Sequence, residues 1–110
     1  MPFAYLTHST QARFLELETR LLQEWRHPQR EAVEPIIIEE RAGRDGPPDL
    51  YVIWHEWADI SRSERSKIIL NAYEQRYGRE AALEVMVATG YTADEADRMG
   101  IEYAPLEPVA

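Results

Sequence analysis

The chain has 110 residues, 45% of them hydrophobic, with a formal net charge of −8 and no cysteine. This length and composition are typical of one globular domain with a modest core. Without cysteine the chain offers no disulfide, thiol nucleophile or thiolate metal ligand, and its acidic excess disfavours nucleic acid and anionic membranes as partners. No apolar run reaches the roughly 18 residues that predict a membrane span, and the first residues lack the pattern of a secretory signal. We therefore expect a cytoplasmic protein.

The first helix is predicted from Thr10 to Arg26. Its apolar residues recur at three- and four-residue steps and form one face: Phe14, Leu15, Leu17, Leu21, Leu22 and Trp25. Thr10 can cap this helix, and Pro28 ends it because proline cannot continue a helix. Residues 1–9 show no clear period and are expected to form an irregular lead.

Two strands are predicted next. Residues 36–41 begin with three isoleucines, and residues 50–57 are rich in β-branched and aromatic side chains. The intervening segment 42–49 is dense in glycine, proline and aspartate, which favour a loop. The two strands are therefore expected to form an antiparallel hairpin. Both faces of the second strand are largely apolar, which indicates a central position in the sheet.

A second helix is predicted after Ser61. Ser61 and Glu64 have the spacing of a capping box, in which each side chain bonds the free backbone N–H of the other. The apolar residues of the helix form one stripe: Ile68, Ile69, Ala72, Tyr73 and Tyr77. Gly78 follows at the position where a left-handed residue commonly ends a helix.

A third strand is expected over residues 83–89, where valines favour extended backbone. Thr92 and Glu95 form a second capping box that opens a short helix, and Gly100 is its expected C-terminal cap. Residues 102–110 contain two prolines and are expected to be an extended tail.

The predicted fold is α+β, in the order αββαβα. It is a single domain over residues 10–101, with helices packed on one face of a three-stranded sheet. This order and the segment 57–77 resemble the BolA-like family, whose fold is a variant of the class II KH arrangement. Members have an aromatic residue closing the second strand, then a helix-opening serine and a basic triplet before two aliphatics. The corresponding residues here are Trp57, Ser61, Arg65-Ser66-Lys67 and Ile68-Ile69, with Thr92-Ala93 at the start of the last helix. The resemblance covers residues 14–99.

The resemblance implies a [2Fe–2S] cluster shared with a monothiol glutaredoxin. In the family the ligands are a histidine on the last strand and a histidine or cysteine in the loop between the first two strands. Here the strand position is Glu84, and the loop 42–49 has neither residue type. The chain also has Asp59 where the family has glycine and Ser66 where it has histidine. Carboxylate suits iron–sulfur clusters poorly, so we expect no metal and no cofactor in this chain.

A catalytic site is not expected. His55-Glu56 is similar to the beginning of a zinc-protease motif, but position 59 is aspartate and the stretch is predicted as a strand. Acidic residues such as Asp59 and Glu64 are typical of helix starts, where they stabilise free backbone N–H groups. The favoured interpretation is that these side chains have structural roles and that the protein is not an enzyme.

A partner surface is expected on the sheet and on the neighbouring helix. Two tryptophans fall on opposite faces of the predicted central strand, so one of them should be exposed if the sheet has an open face. Exposed aromatic residues on such a face are typical of a partner site or a homodimer interface. The residues predicted for this surface are Trp54, Trp57, Arg62, Arg65, Lys67 and Glu84.

These observations predict a small, non-catalytic protein-interaction or regulatory module, either monomeric or homodimeric. One alternative is a KH-like domain that binds nucleic acid, although the GXXG loop of KH modules is absent between the predicted helices. The other is an adaptor that pairs with a monothiol glutaredoxin through an atypical iron–sulfur ligand. No membrane partner is expected.

Overall fold

The computed structural model describes residues 2–29, 33–41, 43 and 46–101. Its elements are α1 (Pro2–Arg26), β1 (Ile36–Arg41), β2 (Pro48–Ile53), a 3₁₀ helix (His55–Asp59), α2 (Arg62–Tyr77), α3 (Arg79–Glu84), β3 (Val87–Tyr91) and α4 (Ala93–Met99). The α+β class and the αββαβα order are confirmed, with the 3₁₀ helix and α3 as short additions. The predicted tail 102–110 lies outside the described residues. None of the described helices has both the length and the apolar character needed to cross a bilayer.

The sheet has the strand order β1-β2-β3, so β2 is central as predicted. β1 and β2 pair antiparallel, which confirms the predicted hairpin, and Ile38 lies opposite Tyr51. β3 pairs parallel with β2, and Tyr51 lies opposite Thr89. A parallel pair needs a long crossover connection, and the chain supplies it with α2 and α3.

The main core lies between the sheet and the helices α1 and α2. It is built from apolar side chains of both helices, of β2 and of the 3₁₀ segment: Leu17, Leu21, Trp25, Leu50, Val52, Trp54, Trp57, Ile68, Ile69 and Tyr73. Burial of this much apolar surface supplies most of the stabilisation that a domain of this size can obtain. We call this side of the sheet the inner face.

The other side of the sheet is covered only in part. Ala96 of α4 packs against Ile53 and Tyr91 in a second, smaller cluster, and Ile36, Ile38, Tyr51, Ala93 and Ile101 pack around it. The capping box of Thr92 and Glu95 is present as predicted, and Gly100 ends α4 in the left-handed conformation with φ of +71°. The capping box predicted at the start of α2 is formed only in part. The Ser61 hydroxyl accepts from Glu64 N, but the Glu64 side chain does not bond the backbone N–H of Ser61.

The first helix starts earlier than predicted. α1 begins at Pro2, so residues 2–9 are helical rather than irregular, and Thr10 lies inside the helix instead of capping it. Proline is well suited to the first turn of a helix because its missing N–H has no intrahelical partner there. Proline at this position removes one of the four free N–H groups of the first turn.

The predicted third strand is shorter and displaced. Residues 79–84 form α3, and β3 begins only at Val87. Ala81, Ala82 and Val85 pack against the main core. The packing of the two alanines favours a helix over residues 79–84, and Val85, which follows the helix, has extended backbone.

Candidate functional site

The side of the sheet opposite α1 and α2 presents the alternate residues of its three strands. We call this surface the outer face; its residues are Ile36, Ile38, Glu40, Asp49, Tyr51, Ile53, Val87, Thr89 and Tyr91. A groove of about 630 Å³ runs between the outer face and the end of α4. Its walls are formed by Ile38, Glu40, Tyr51, Tyr91, Met99, Gly100 and Ile101.

The outer-face groove is lined by both apolar and polar groups and is accessible to solvent. Ile38 and Tyr51 are half-buried and lie directly opposite each other. Met99, on the α4 wall of the groove, is 56% exposed, and Val87, on β3, is 37% exposed. Exposed apolar side chains that are contiguous, rather than scattered, mark surfaces that bind partners.

The rim of the groove carries an acidic pair. Glu40 and Asp49 are direct cross-strand neighbours, so both side chains project from the outer face. Burial raises the pKa of Tyr51, and the negative charges of Asp49 and Glu40 raise this pKa further. The two neighbouring carboxylates give this end of the groove a negative potential.

Neither tryptophan forms an exposed surface, which corrects the prediction for Trp54 and Trp57. Both are fully buried, and their rings meet edge to face with centroids 5.1 Å apart. β2 ends at Ile53, and the 3₁₀ turn brings the Trp57 indole back to the inner face, where its Nε1 donates to Val52 O at 3.0 Å. The two-residue alternation of a strand therefore does not apply to Trp57.

Arg65 also belongs to the interior and not to a partner surface. Its side chain is 5% exposed, and its guanidinium donates to the carbonyl oxygens of Ile60, Gly90 and Trp57 at 2.8, 3.1 and 2.6 Å. A fourth bond, of 2.6 Å, reaches Glu95 Oε1. This bond is the main cause of the lowered pKa of Glu95.

The sequence contains a signal for the burial of Arg65. Ile68, Ile69 and Ala72 follow it at three, four and seven residues, which is the spacing of one helical face. Arg65 therefore lies on the apolar stripe of α2, whereas Lys67 lies off it. An arginine on the apolar stripe indicates a buried hydrogen-bonding role.

The remaining predicted surface residues are exposed but dispersed. Arg62 and Lys67 are exposed on α2, and the Arg62 guanidinium lies 5.7 Å from the centroid of the Tyr91 ring. Glu84 is exposed at the end of α3 and not on a strand, so it does not have the strand position that the family resemblance assigned to it. Leu83 and Met86, next to Glu84, are 74% and 73% exposed.

The side chains of His55, Glu56 and Asp59 are held in a polar network by Glu34 and by arginines of α1. His55 is exposed and lies in the 3₁₀ helix rather than on the predicted strand, and its Nδ1 lies 2.5 Å from Glu34 Oε2. The Arg20 guanidinium bonds Glu56 at 2.9 Å and is the main cause of the lowered pKa of this carboxyl. Arg13 bonds Asp59 at 2.7 Å. A carboxylate with a lowered pKa is a poor general acid or base, so this network fits a structural role.

Three further findings concern metal ligation, the prediction of the groove and the comparison with known proteins. Within the part of the chain that the structure describes, no group of three histidine, aspartate or glutamate side chains is arranged to hold a metal ion. None of the residues that line the outer-face groove was predicted as part of the partner surface. The two-residue alternation in residues 36–40 and 49–53 does place the strand residues of the groove on one face. Comparison with models of protein families, with curated proteins and with solved structures finds no match to this chain.

Proposed function

We propose that this chain is a small, non-catalytic protein-interaction module that binds its partner on the outer face of its sheet. The observation that carries the proposal is the outer-face groove, where apolar and aromatic side chains remain open to solvent on an otherwise covered sheet. The acidic side chains Glu56 and Asp59 lie outside this groove and form ion pairs with arginines of α1. The resemblance to the BolA-like family supports the same kind of function, because members of that family act through protein partners.

The β3 edge of the sheet is occupied by side-chain hydrogen bonds, which favours the outer face as the binding surface. The carbonyl groups of Ala88 and Gly90 point away from β2, and the side chains of Ser66 and Arg65 bond them at 2.6 and 3.1 Å. This edge therefore cannot pair with an added strand without losing those bonds. A partner on the outer face needs no such rearrangement.

Site-specific photo-crosslinking in cells that make the protein tests this proposal. A benzophenone amino acid would replace Tyr51 on the outer face, and in a matched control it would replace Tyr77, which is 44% exposed at the end of α2. We expect a discrete protein adduct from position 51 and none of the same mass from position 77. Mass spectrometry of the adduct also tests whether the partner is a glutaredoxin, as the family resemblance implies.

The proposal would be contradicted by two results. One is the absence of any adduct at position 51 when the variant is folded and the crosslinker is active. The other is an identical set of adducts from both positions, which would indicate random encounters. A glutaredoxin adduct with a visible iron–sulfur spectrum would favour the adaptor alternative over a cofactor-free module.

A further inference from the structure

We infer that the outer-face groove recognises a cationic peptide segment of a partner protein, with an apolar anchor beside a lysine or arginine. This inference rests on the proposed function and adds the chemistry of the partner. The anchor would pack between Ile38, Tyr51 and Ile101, and the positive charge would lie between Glu40 and Asp49. Peptides of this kind use the apolar contact for affinity and the charge for orientation and specificity.

The acidic pair at the rim is unfavourable in the free protein. Glu40 and Asp49 are directly opposite each other across β1 and β2, and like charges in such positions destabilise a sheet. Neither carboxylate forms an ion pair with another residue that the structure describes. A cation from a partner would contact both carboxylates and remove their repulsion, so the pair is complementary to a positive charge.

The two tyrosine rings of the groove, Tyr51 and Tyr91, also suit a cation, and we call Tyr51 the floor of the groove. The Arg62 guanidinium already lies over the Tyr91 ring. The Tyr51 ring has no arginine or lysine over it among the described residues, and Tyr51 lies two residues after Asp49 on the same face of β2. A guanidinium or ammonium group over Tyr51 would gain a cation–π contact and remain close to the two carboxylates.

Other occupants of the groove are disfavoured by charge. In a homodimer formed through the outer face, the acidic pairs of the two copies would repel each other. The net charge of −8 on each chain would add to this repulsion. Nucleic acids and anionic lipids carry phosphates, which the rim would repel. A protein segment rich in lysine or arginine is the class of macromolecule that the potential attracts.

Selection from a displayed library of random 12-residue peptides against the folded chain tests the inference. The variants to compare are Tyr51→Ser, which removes the floor of the groove, and the double substitution Glu40→Gln with Asp49→Asn, which removes the rim charges. The control is Glu74→Gln with Glu80→Gln, which makes the same change in net charge at exposed positions on α2 and α3. Affinities of the selected peptides would be measured by fluorescence anisotropy at two salt concentrations.

We expect selected peptides that pair lysine or arginine with a large apolar residue. They should lose binding to the Tyr51→Ser protein and bind the rim double variant about tenfold more weakly, since each exposed ion pair contributes modestly. The control should bind as the unmodified chain does. Raising the salt from about 0.1 M to about 1 M should also weaken binding, because the screening length falls from about 10 Å to about 3 Å.

The outcomes separate this inference from the function on which it rests. Peptides that need Tyr51 but lack a cation, or that bind the rim double variant unchanged, would overturn the inference and leave an interaction module. Peptides that bind regardless of Tyr51 would contradict both. The double variant should also unfold at the same urea concentration as the unmodified chain or at a higher one. A lower urea midpoint would refute the argument from like-charge repulsion.

Discussion

Replacement of Arg65 by methionine should destabilise the protein more than any other change of a charged residue on α2. The guanidinium joins the 3₁₀ segment, β3 and α4, because it bonds Trp57 O, Gly90 O and Glu95 Oε1. Methionine keeps most of the apolar volume of the side chain but provides no donor. The substitution therefore leaves a carboxylate and several carbonyl oxygens without their partner while it changes the packing little.

The expected loss can be estimated from these contacts. Removing one partner of a buried ion pair costs about 3–5 kcal/mol. The Glu95 side chain is 22% exposed, so water can solvate part of the freed carboxylate, and we expect the lower end, about 3 kcal/mol. Domains of this size are stable by about 5–15 kcal/mol. Loss of Arg65 would therefore remove a substantial part of the free energy of unfolding without necessarily preventing folding.

Urea unfolding followed by tryptophan fluorescence measures this loss, because Trp54 and Trp57 are both buried in the main core. With a denaturant dependence of about 1–3 kcal/mol/M, the midpoint should fall by about 1–3 M. Arg79→Met is the control, since Arg79 is exposed on α3, and it should change stability by less than about 0.5 kcal/mol. A loss below about 1 kcal/mol for Arg65→Met would refute the view that the buried guanidinium stabilises this fold.

Three further predictions concern the same region. Gly90→Ala should cost about 1–3 kcal/mol in urea unfolding by overpacking, because its Cβ would lie 2.7 Å from Trp57 Nε1; a neutral result would mean that the indole can move. Ser66→Ala should cost about 1 kcal/mol and speed amide exchange in β3, since its hydroxyl donates to a β3 carbonyl at 2.6 Å; unchanged exchange would argue against edge protection. The Arg65 guanidinium lowers the pKa of Glu95 from its ordinary value of 4.5. The stability that this carboxylate contributes should therefore be complete above that value and be lost as the pH falls through the lower folded pKa. The urea midpoint of Glu95→Gln should fall less between neutral and acidic pH than that of the unmodified chain, and a parallel fall in both proteins would contradict the assignment.

The elements with local signals were predictable from the sequence. The capping box of Thr92 and Glu95 and the cap at Gly100 depend only on residues three to five positions apart, and both are present in the structure. The hairpin of β1 and β2 was predictable for a similar reason, because a loop dense in turn residues separates two strand-like runs. Contacts of this kind are determined by nearby residues and need no knowledge of the tertiary fold.

The positions of Trp57 and Arg65 depend on residues far away in the chain. The Trp57 indole packs against Gly90, where no Cβ occupies the space, and this pairing has no signature within either segment. Arg65 bonds groups that are up to 30 residues distant. The sequence therefore predicted Arg65 and Lys67 as parts of one partner surface, whereas in the fold Arg65 is buried and Lys67 is exposed.

The buried arginine and the proposed binding surface are connected through the edges of the sheet. On the inner face, α1 and α2 cover the apolar residues, and on the β3 edge Arg65 and Ser66 bond the outward carbonyls. The β1 edge ends in charged residues from Glu39 to Arg41, which disfavour strand addition. On the outer face, Ile38 and Tyr51 are half-buried and Val87 is exposed. A variant such as Arg65→Met should therefore weaken binding at the outer face only as far as it unfolds the sheet, whereas Tyr51→Ser should weaken binding even under conditions in which the variant is fully folded.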